Sequence, residues 1–318
     1  MHHRRKTLAF ILPLLTALVA TYVCIDCARP PQEGVNLASI DSGVTPPLGQ
    51  KPQHPGDSLS LLAGAVDTEN RFQSAVIVTT QLPGPEGKGK QCSGVLISPR
   101  AVLTAGHCVC SKRKASSPRD EDSLVIDSAA CSPAAIVTTL VYEPPEPGTD
   151  ASYRTKDFHG TVRVHPQLKI LLDGQENVVS STADLAVVSL ELPVDIGSPP
   201  IQLALTDVQL QESLILVGYG YDEVFGGLGG RRRFTKARVS SLPSTSGERA
   251  LFEMGQRTNY KGDSGGPCLR ETGQDLLLVG ISSRSLGQEP SFTSTHPYRD
   301  WLREEIQRAS TPGATLPR

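Results

Sequence analysis

Net charge is nearly missing from this chain. Its 31 Lys and Arg against 33 Asp and Glu leave −2 over 318 residues, too close to neutrality for electrostatic capture of nucleic acid. No internal repeat is evident, which sets aside a stacked-repeat architecture. Clustered His or Cys pairs on short loops are absent as well, so neither a metal nor a cofactor is expected. Long apolar runs are lacking with one exception, residues 7–23, TLAFILPLLTALVATYV, which follow the basic MHHRRK. That run is short for a membrane span and reads as a secretory signal peptide over residues 1–26. Arg4 and Arg5 are the basic pair such a leader carries. The stretch TYVCIDCA offers no small-x-small cleavage site. Lipid modification of Cys24 or Cys27 stays open as the one route to a membrane.

An exported chain enters an oxidising compartment, secreted or in the cell envelope, where seven cysteines are better read as disulfide partners than as thiols or zinc ligands. Cys92, Cys108, Cys110 and Cys131 make an even set in one region, and Cys268 is left over as a buried small apolar residue. Residues 27–60 are rich in Pro, Gly and Ser and read as a linker or pro-segment. From residue 61 to 308 the chain becomes short apolar runs split by turns: SAVIVTTQL, CSGVLIS, AVLTAGH, AAIVTTLVYE, TVRVHP, DLAVVSLEL, SLILVGYG, FTKARVSSL, DLLLVGISS. Such runs predict an all-β protein of antiparallel barrels or a sandwich. One helix is expected, in HPYRDWLREEIQRAS, where Tyr298, Trp301, Leu302 and Ile306 recur at helical spacing. Residues 309–318 read as a flexible tail.

The stretch KGDSGGPC raises the question of function. Its serine, Ser264, lies among residues that any tight turn selects. Amide hydrolysis by a serine needs a base, a carboxylate to orient that base, and donors for the oxyanion. His107 follows an apolar strand in CSGVLISPRAVLTAGHC, and Asp184 directly precedes one in STADLAVVSLELP. Asp173 and Asp195 compete for the carboxylate role, but LLDG is itself a turn signal and the apolar continuation favours Asp184. His54, His159, His165 and His296 are read as packed or hydrogen-bonded side chains. The run Arg231, Arg232, Arg233, after FGGLGG, is read as the solvated arm of a flexible hairpin rather than an anion site.

TAGHC, ADLAVVSL, GYGY and GDSGGP, in this order, resemble a trypsin-like (chymotrypsin-fold) serine protease of the bacterial secreted type, over about residues 61–308. The order His, Asp, Ser separates this resemblance from the other two common serine hydrolase arrangements. It implies two six-stranded antiparallel β-barrels with the site between them and a C-terminal helix. It implies His107 as general base and acid, Asp184 as its orienting carboxylate and Ser264 as nucleophile, with the backbone N–H groups of Gly262 and Ser264 as the oxyanion hole. Asp263 matches the acceptor of an activating ion pair from a new chain amine, and Ser283 the edge-strand serine beside which a substrate backbone pairs. The motif, together with parity, implies a Cys92–Cys108 disulfide. The remaining count gives Cys110–Cys131, a loop of roughly 20 residues whose closure stabilises by about 3 kcal/mol in the chain-entropy model.

The sequence departs from the family pattern in several places. His107 and Asp184 are 77 residues apart, a longer interval than usual, and SKRKASSPRDEDS and YEPPEPGTDASYRTKDFHG are expected to be extended surface loops. The nearest match to the activated N-terminus is LLAGAV, with Leu62, Gly64 and Ala65 and no preceding Arg or Lys. Processing by a different protease, or an active fold without the usual ion pair, both remain open. Tyr260 stands where a cysteine usually braces the specificity pocket. A gap-free count puts Thr258 at the pocket base and Ser283, Arg284 and Ser285 on its wall, with Ser291 opposite. None is acidic, so cleavage after small to medium neutral residues is expected, since a buried substrate Arg or Lys would find no countercharge. The resulting expectation is a monomeric serine endopeptidase acting on proteins or peptides through an acyl-enzyme. The alternative is a catalytically silent homologue serving as a secreted or envelope-tethered binding protein.

Overall fold

Many of the apolar runs lack the polar alternation of a half-buried strand because they are buried on two sides. On the strand Ala75–Gln81, Ala75 and Ile77 join one cluster while Val76 and Val78 join another. The same division separates Val95 and Ile97 from Leu96 on the strand Gly89–Ser98, and Leu103 from Val102 on the strand Ala101–Thr104. Each such Val, Leu or Ile contributes about 1.5–3 kcal/mol by leaving water.

The computed structural model describes residues 64–83, 89–115, 123–144, 152–195, 197, 200–222, 227–228, 230–242, 249–253, 263–284 and 290–311. All fall within His54–Arg318, one of two units into which the chain divides. The expected leader and linker, Leu62, Thr258, Tyr260, Gly262 and Ser285 lie outside the described residues.

The first barrel closes in the order Ala186–Leu190, Ala101–Thr104, Gly89–Ser98, Ala75–Gln81, Ala134–Tyr142, Tyr153–Val164. All six strands contribute to the cluster Val76, Leu96, Val102, Val137, Phe158 and Val188, which fills its interior. The second is an eight-stranded sheet. Its pairings run from Arg233–Ser241 through Ser213–Gly218, Pro267–Thr272, Asp275–Ser282, Ser291–Ser294 and Arg249–Glu253, then return to Arg233–Ser241. Ala65–Val66 and Gln202–Leu203 are added at its margins. The expected double barrel is thus present.

Two expectations from the sequence are corrected. Of the two stretches expected to be surface loops, SKRKASSPRDEDS begins within a strand and YEPPEPGTDASYRTKDFHG ends within one. Cys110–Lys114, Leu124–Cys131, Lys169–Leu172 and Val178–Thr182 form a separate four-stranded sheet, and Tyr153–Val164 is a barrel strand. Ile126, Ile170 and Leu172 of that sheet are buried, which gives it a core. Arg232 is also no solvated arm. It is fully buried, its Nε donates to Asp67 Oδ2 at 2.7 Å, and the remaining donors reach Leu140 O at 2.8 Å, Asn70 Oδ1 at 3.0 Å and the Tyr219 hydroxyl at 3.4 Å. Asp67 in turn accepts the N–H groups of Arg71 and Phe72, both at 2.9 Å. A buried guanidinium survives only when paired and hydrogen-bonded in this way.

The expected helix begins as a 3-10 turn at His296–Tyr298, with Pro297 inside, and becomes α-helical over Arg299–Ser310. Leu302 is its fully buried apolar contact, and it ends at Ser310, the last residue of the stretch expected to be helical. Cys92–Cys108 and Cys110–Cys131 are disulfide-bonded, and Cys268 is free and buried.

Candidate active site

Strand register accounts for the meeting of His107 and Asp184. Ala186 pairs with Thr104 at the ends of antiparallel strands, so the residues just before one and just after the other emerge side by side at one barrel rim. His107 sits in the four-residue helix Gly106–Val109 that follows. A Cβ on Gly106 would lie 2.8 Å from Leu168 and 3.3 Å from Asp184 Oδ1, so only glycine leaves the carboxylate room there. On the other side Ala183 holds φ at 48°, a left-handed conformation that costs a non-glycine residue about 1 kcal/mol or more. Its N–H donates to the Tyr298 hydroxyl at 2.9 Å, and His165, edge-on to the rings of Tyr298 and Trp301, gives its backbone N–H to Leu185 O at 3.0 Å. The C-terminal segment therefore fixes the backbone on either side of Asp184.

Asp184 is wholly buried and receives three donors. The His107 backbone N–H reaches Oδ1 at 2.8 Å, the imidazole Nδ1 meets Oδ2 at 2.7 Å, and the Ser283 hydroxyl donates to Oδ2 at 2.5 Å. With Nδ1 protonated toward the carboxylate, Nε2 is the basic nitrogen. Burial pushes the imidazole down to about 4 against the upward pull of Asp184, with Lys90 and Arg284 adding to the fall. The ring is thus neutral over the ordinary pH range.

Ser264 is tied to the first barrel through its main chain. Its carbonyl accepts the Ser93 N–H at 2.8 Å, Gly265 N–H donates to Ser282 O at 2.8 Å, and Gly266 N–H to Asp263 O at 2.9 Å. Gly265 has φ of 84° and packs so tightly on Ser93 and Thr104 that a Cβ would overlap them. Any side chain there would drive the serine loop off the rim. Ser264 is part-exposed, and among the described residues no hydrogen bond joins its hydroxyl to His107. Asp263 accepts the Gly220 N–H at 2.9 Å. Gly218 and Gly220 leave space for its carboxylate.

Of the other expected site residues, Ser283 is buried with its hydroxyl on Asp184, and Ser291 is buried with its hydroxyl on Arg284 O at 2.7 Å. Gly262, Thr258 and Ser285 lie outside the described residues. The sequence reading missed Lys90, whose Nζ donates to the His107 carbonyl at 2.6 Å, because nothing in GKGKQC marks one lysine as facing the histidine. It also missed Tyr298, which it assigned only to a helix face. Among the described residues no group of three His, Cys, Asp or Glu could hold a metal ion.

Comparison with known proteins places this geometry. Residues 92–281 match the family described as the trypsin-like peptidase domain. A trypsin from Phaedon cochleariae is 22% identical over 237 residues, covering 68% of this chain and 79% of that protein. Among solved structures, the scabies mite inactivated protease paralogue S-I1 superposes with a TM-score of 0.50 at 18% identity, over 77% of this chain and 99% of the other.

Proposed function

The chain belongs to the trypsin-like peptidase domain family, and from that premise we propose that it is a serine endopeptidase working through Ser264, His107 and Asp184. The observation that carries the proposal is the buried His107–Asp184 pair with Ser283 on the same carboxylate and the Ser264 loop seated on Ser93 beside it. Ser264 Oγ attacks the scissile carbonyl carbon while His107 Nε2 takes its proton, and the carbonyl pair moves onto oxygen. Collapse of this intermediate breaks the carbon–nitrogen bond, with Nε2 returning the proton to the leaving amine. Water repeats the sequence on the acyl-enzyme and restores Ser264. The backbone N–H groups of Gly262 and Ser264 serve the oxyanion. Asp184 holds the tautomer and balances the imidazolium without itself taking the proton.

Thr258, Ser283 and Ser285 are proposed to line the pocket for the residue before the cut, which is small to medium and neutral. The proposed setting is outside the cell or in its envelope, as a monomer without cofactor acting on proteins or peptides. The leader pattern supports export, and the two disulfides suit an oxidising compartment. A second reading, a silent homologue that binds without cutting, is favoured by one observation: the Ser264 hydroxyl makes no hydrogen bond to His107 among the described residues. A fluorophosphonate probe separates the two, because it reacts only with an activated serine. Labelling of the native protein, abolished in Ser264→Ala, supports the endopeptidase. An unlabelled native protein supports the silent homologue.

A further inference from the structure

The surroundings of His107 carry more positive charge than the reaction requires. Lys90, on the strand Gly89–Ser98, is half-buried with its ammonium on the His107 carbonyl at 2.6 Å, the one acceptor it has among the described residues. Arg284 comes in from the second barrel, directly after the Ser283 that holds Asp184, and its guanidinium makes no ion pair among the described residues. Lys112, from the inserted sheet, stands nearby and is paired with Glu176. Among the described residues, the negative groups in the neighbourhood are Glu176, paired with Lys112, and Asp184, which accepts from His107 and Ser283.

A half-buried ammonium with one neutral acceptor and cations as neighbours is an unfavourable arrangement. Burial first, then Arg284 and to a smaller extent Lys112, push Lys90 down to about 8, with Asp184 alone pulling the other way. Arg284 acts in the same sense on His107 and steadies the charge of Glu176. Lys90, on the His107 carbonyl, and Arg284, next to the serine on Asp184, thus bring cations from separate barrels to bear on the surroundings of His107, and the natural completion of two such cations is an anion.

We propose that Lys90 and Arg284 form a subsite for a carboxylate side chain of the substrate, an Asp or Glu close to the scissile bond but not at the position directly before it, so that the enzyme selects acidic peptides. The inference rests on the endopeptidase reading for the place of the bond, but not for the binding itself. Both residues would determine specificity without touching the reacting atoms. Acidic substrate binding stabilises the protonated Lys90 and therefore raises its pKa on binding. In the free enzyme the ammonium is present below about 8 and lost above it, so the preference should fade as pH rises through that value. Added salt should weaken it in parallel, because the cleft edge is in contact with solvent.

The test pairs two measurements. Peptides that differ only in Glu against Gln at the second position before the cut or at either of the two after it are compared by kcat/KM on the native enzyme. Binding of the same peptides to Ser264→Ala is followed by fluorescence anisotropy. The expected result at pH 7 and low salt is a preference for Glu of roughly tenfold, carried by KM, at one or more positions. Lys90→Gln and Arg284→Gln each reduce it and Lys90→Arg retains it. Equal treatment of Glu and Gln, or a preference that survives in the Lys90→Gln, Arg284→Gln double variant, overturns the proposal. Fluorophosphonate labelling keeps the two readings apart. A labelled enzyme without Glu preference loses the subsite alone, whereas an unlabelled protein that still binds Glu peptides through Lys90 and Arg284 keeps the subsite and loses the protease.

Discussion

Among the described residues two charged or chargeable pairs lie fully buried, and they are finished differently. Arg232 and Asp67 sit where the N-terminal segment, the strand Ala134–Tyr142 and the start of the second barrel meet, and nearly every polar atom of the pair has a partner. His107 and Asp184 are equally inaccessible, but only the carboxylate and Nδ1 are satisfied. Among the described residues Nε2 makes no hydrogen bond to nitrogen or oxygen, and Cys108 Sγ lies 4.0 Å from it. A guanidinium cannot shed its charge, so its burial demands full coordination. An imidazole escapes the same cost by staying neutral, and the unspent nitrogen is what can accept a proton. Completeness marks the structural pair and incompleteness the chemical one.

The comparison can be tested from both sides. Replacing Ser264 by Ala should lower turnover by on the order of a million-fold, because the triad acts as a unit, with the thermal midpoint unchanged. Asp184→Asn should cost about ten-thousand-fold through the wrong tautomer of His107. Asp173→Asn should cost nothing in activity, since Asp173 only caps its own turn through the N–H groups of Gln175 and Asn177. The opposite ranking of these two aspartates would remove Asp184 from the mechanism. Asp67→Asn or Arg232→Met should destabilise by about 3–5 kcal/mol, read as a shift of the urea midpoint, since each strands a buried partner. If those variants unfolded no more easily than Asp184→Asn, the two pairs would not differ as described.

The smallest expected effect is the pH response. The folded pKa of His107, about 4, lies below its ordinary 6.5, so its contribution to stability is complete above 6.5. It is lost as pH falls from 6.5 toward 4, where the unfolded chain takes up the proton first. The acid limb of kcat/KM should therefore lie below pH 6.5. A limb near 7 would mean that solvent reaches the ring.

Much of this was legible in the residues. His107 and Asp184 each adjoin a strand recognisable from its apolar run, whereas Ser264 was marked by its motif, in which glycines 265 and 266 announce a tight turn. The same runs left barrels and a sandwich both open, and it was the resemblance of the four motifs that implied two barrels. The fate of Arg232 was hidden, because its partner lies 165 positions earlier and a local run of three arginines after glycines carries no sign of it. The inserted sheet escaped notice for a related reason. Its strands Lys169–Leu172 and Val178–Thr182 are only four and five residues long, too short for periodicity to speak. Lys90 could be found only once the fold had placed it against His107.

The bond from Ala183 to Tyr298 also has a consequence in time. The hydroxyl that steadies the backbone beside Asp184 is 115 positions further along the chain, and the one on the carboxylate itself, from Ser283, is 99 further. During synthesis the histidine and aspartate emerge long before either support exists, and the serine shortly before both. A growing chain thus carries all three residues of the proposed triad while the carboxylate is still unanchored, so on the endopeptidase reading proteolytic competence would arrive late in translation.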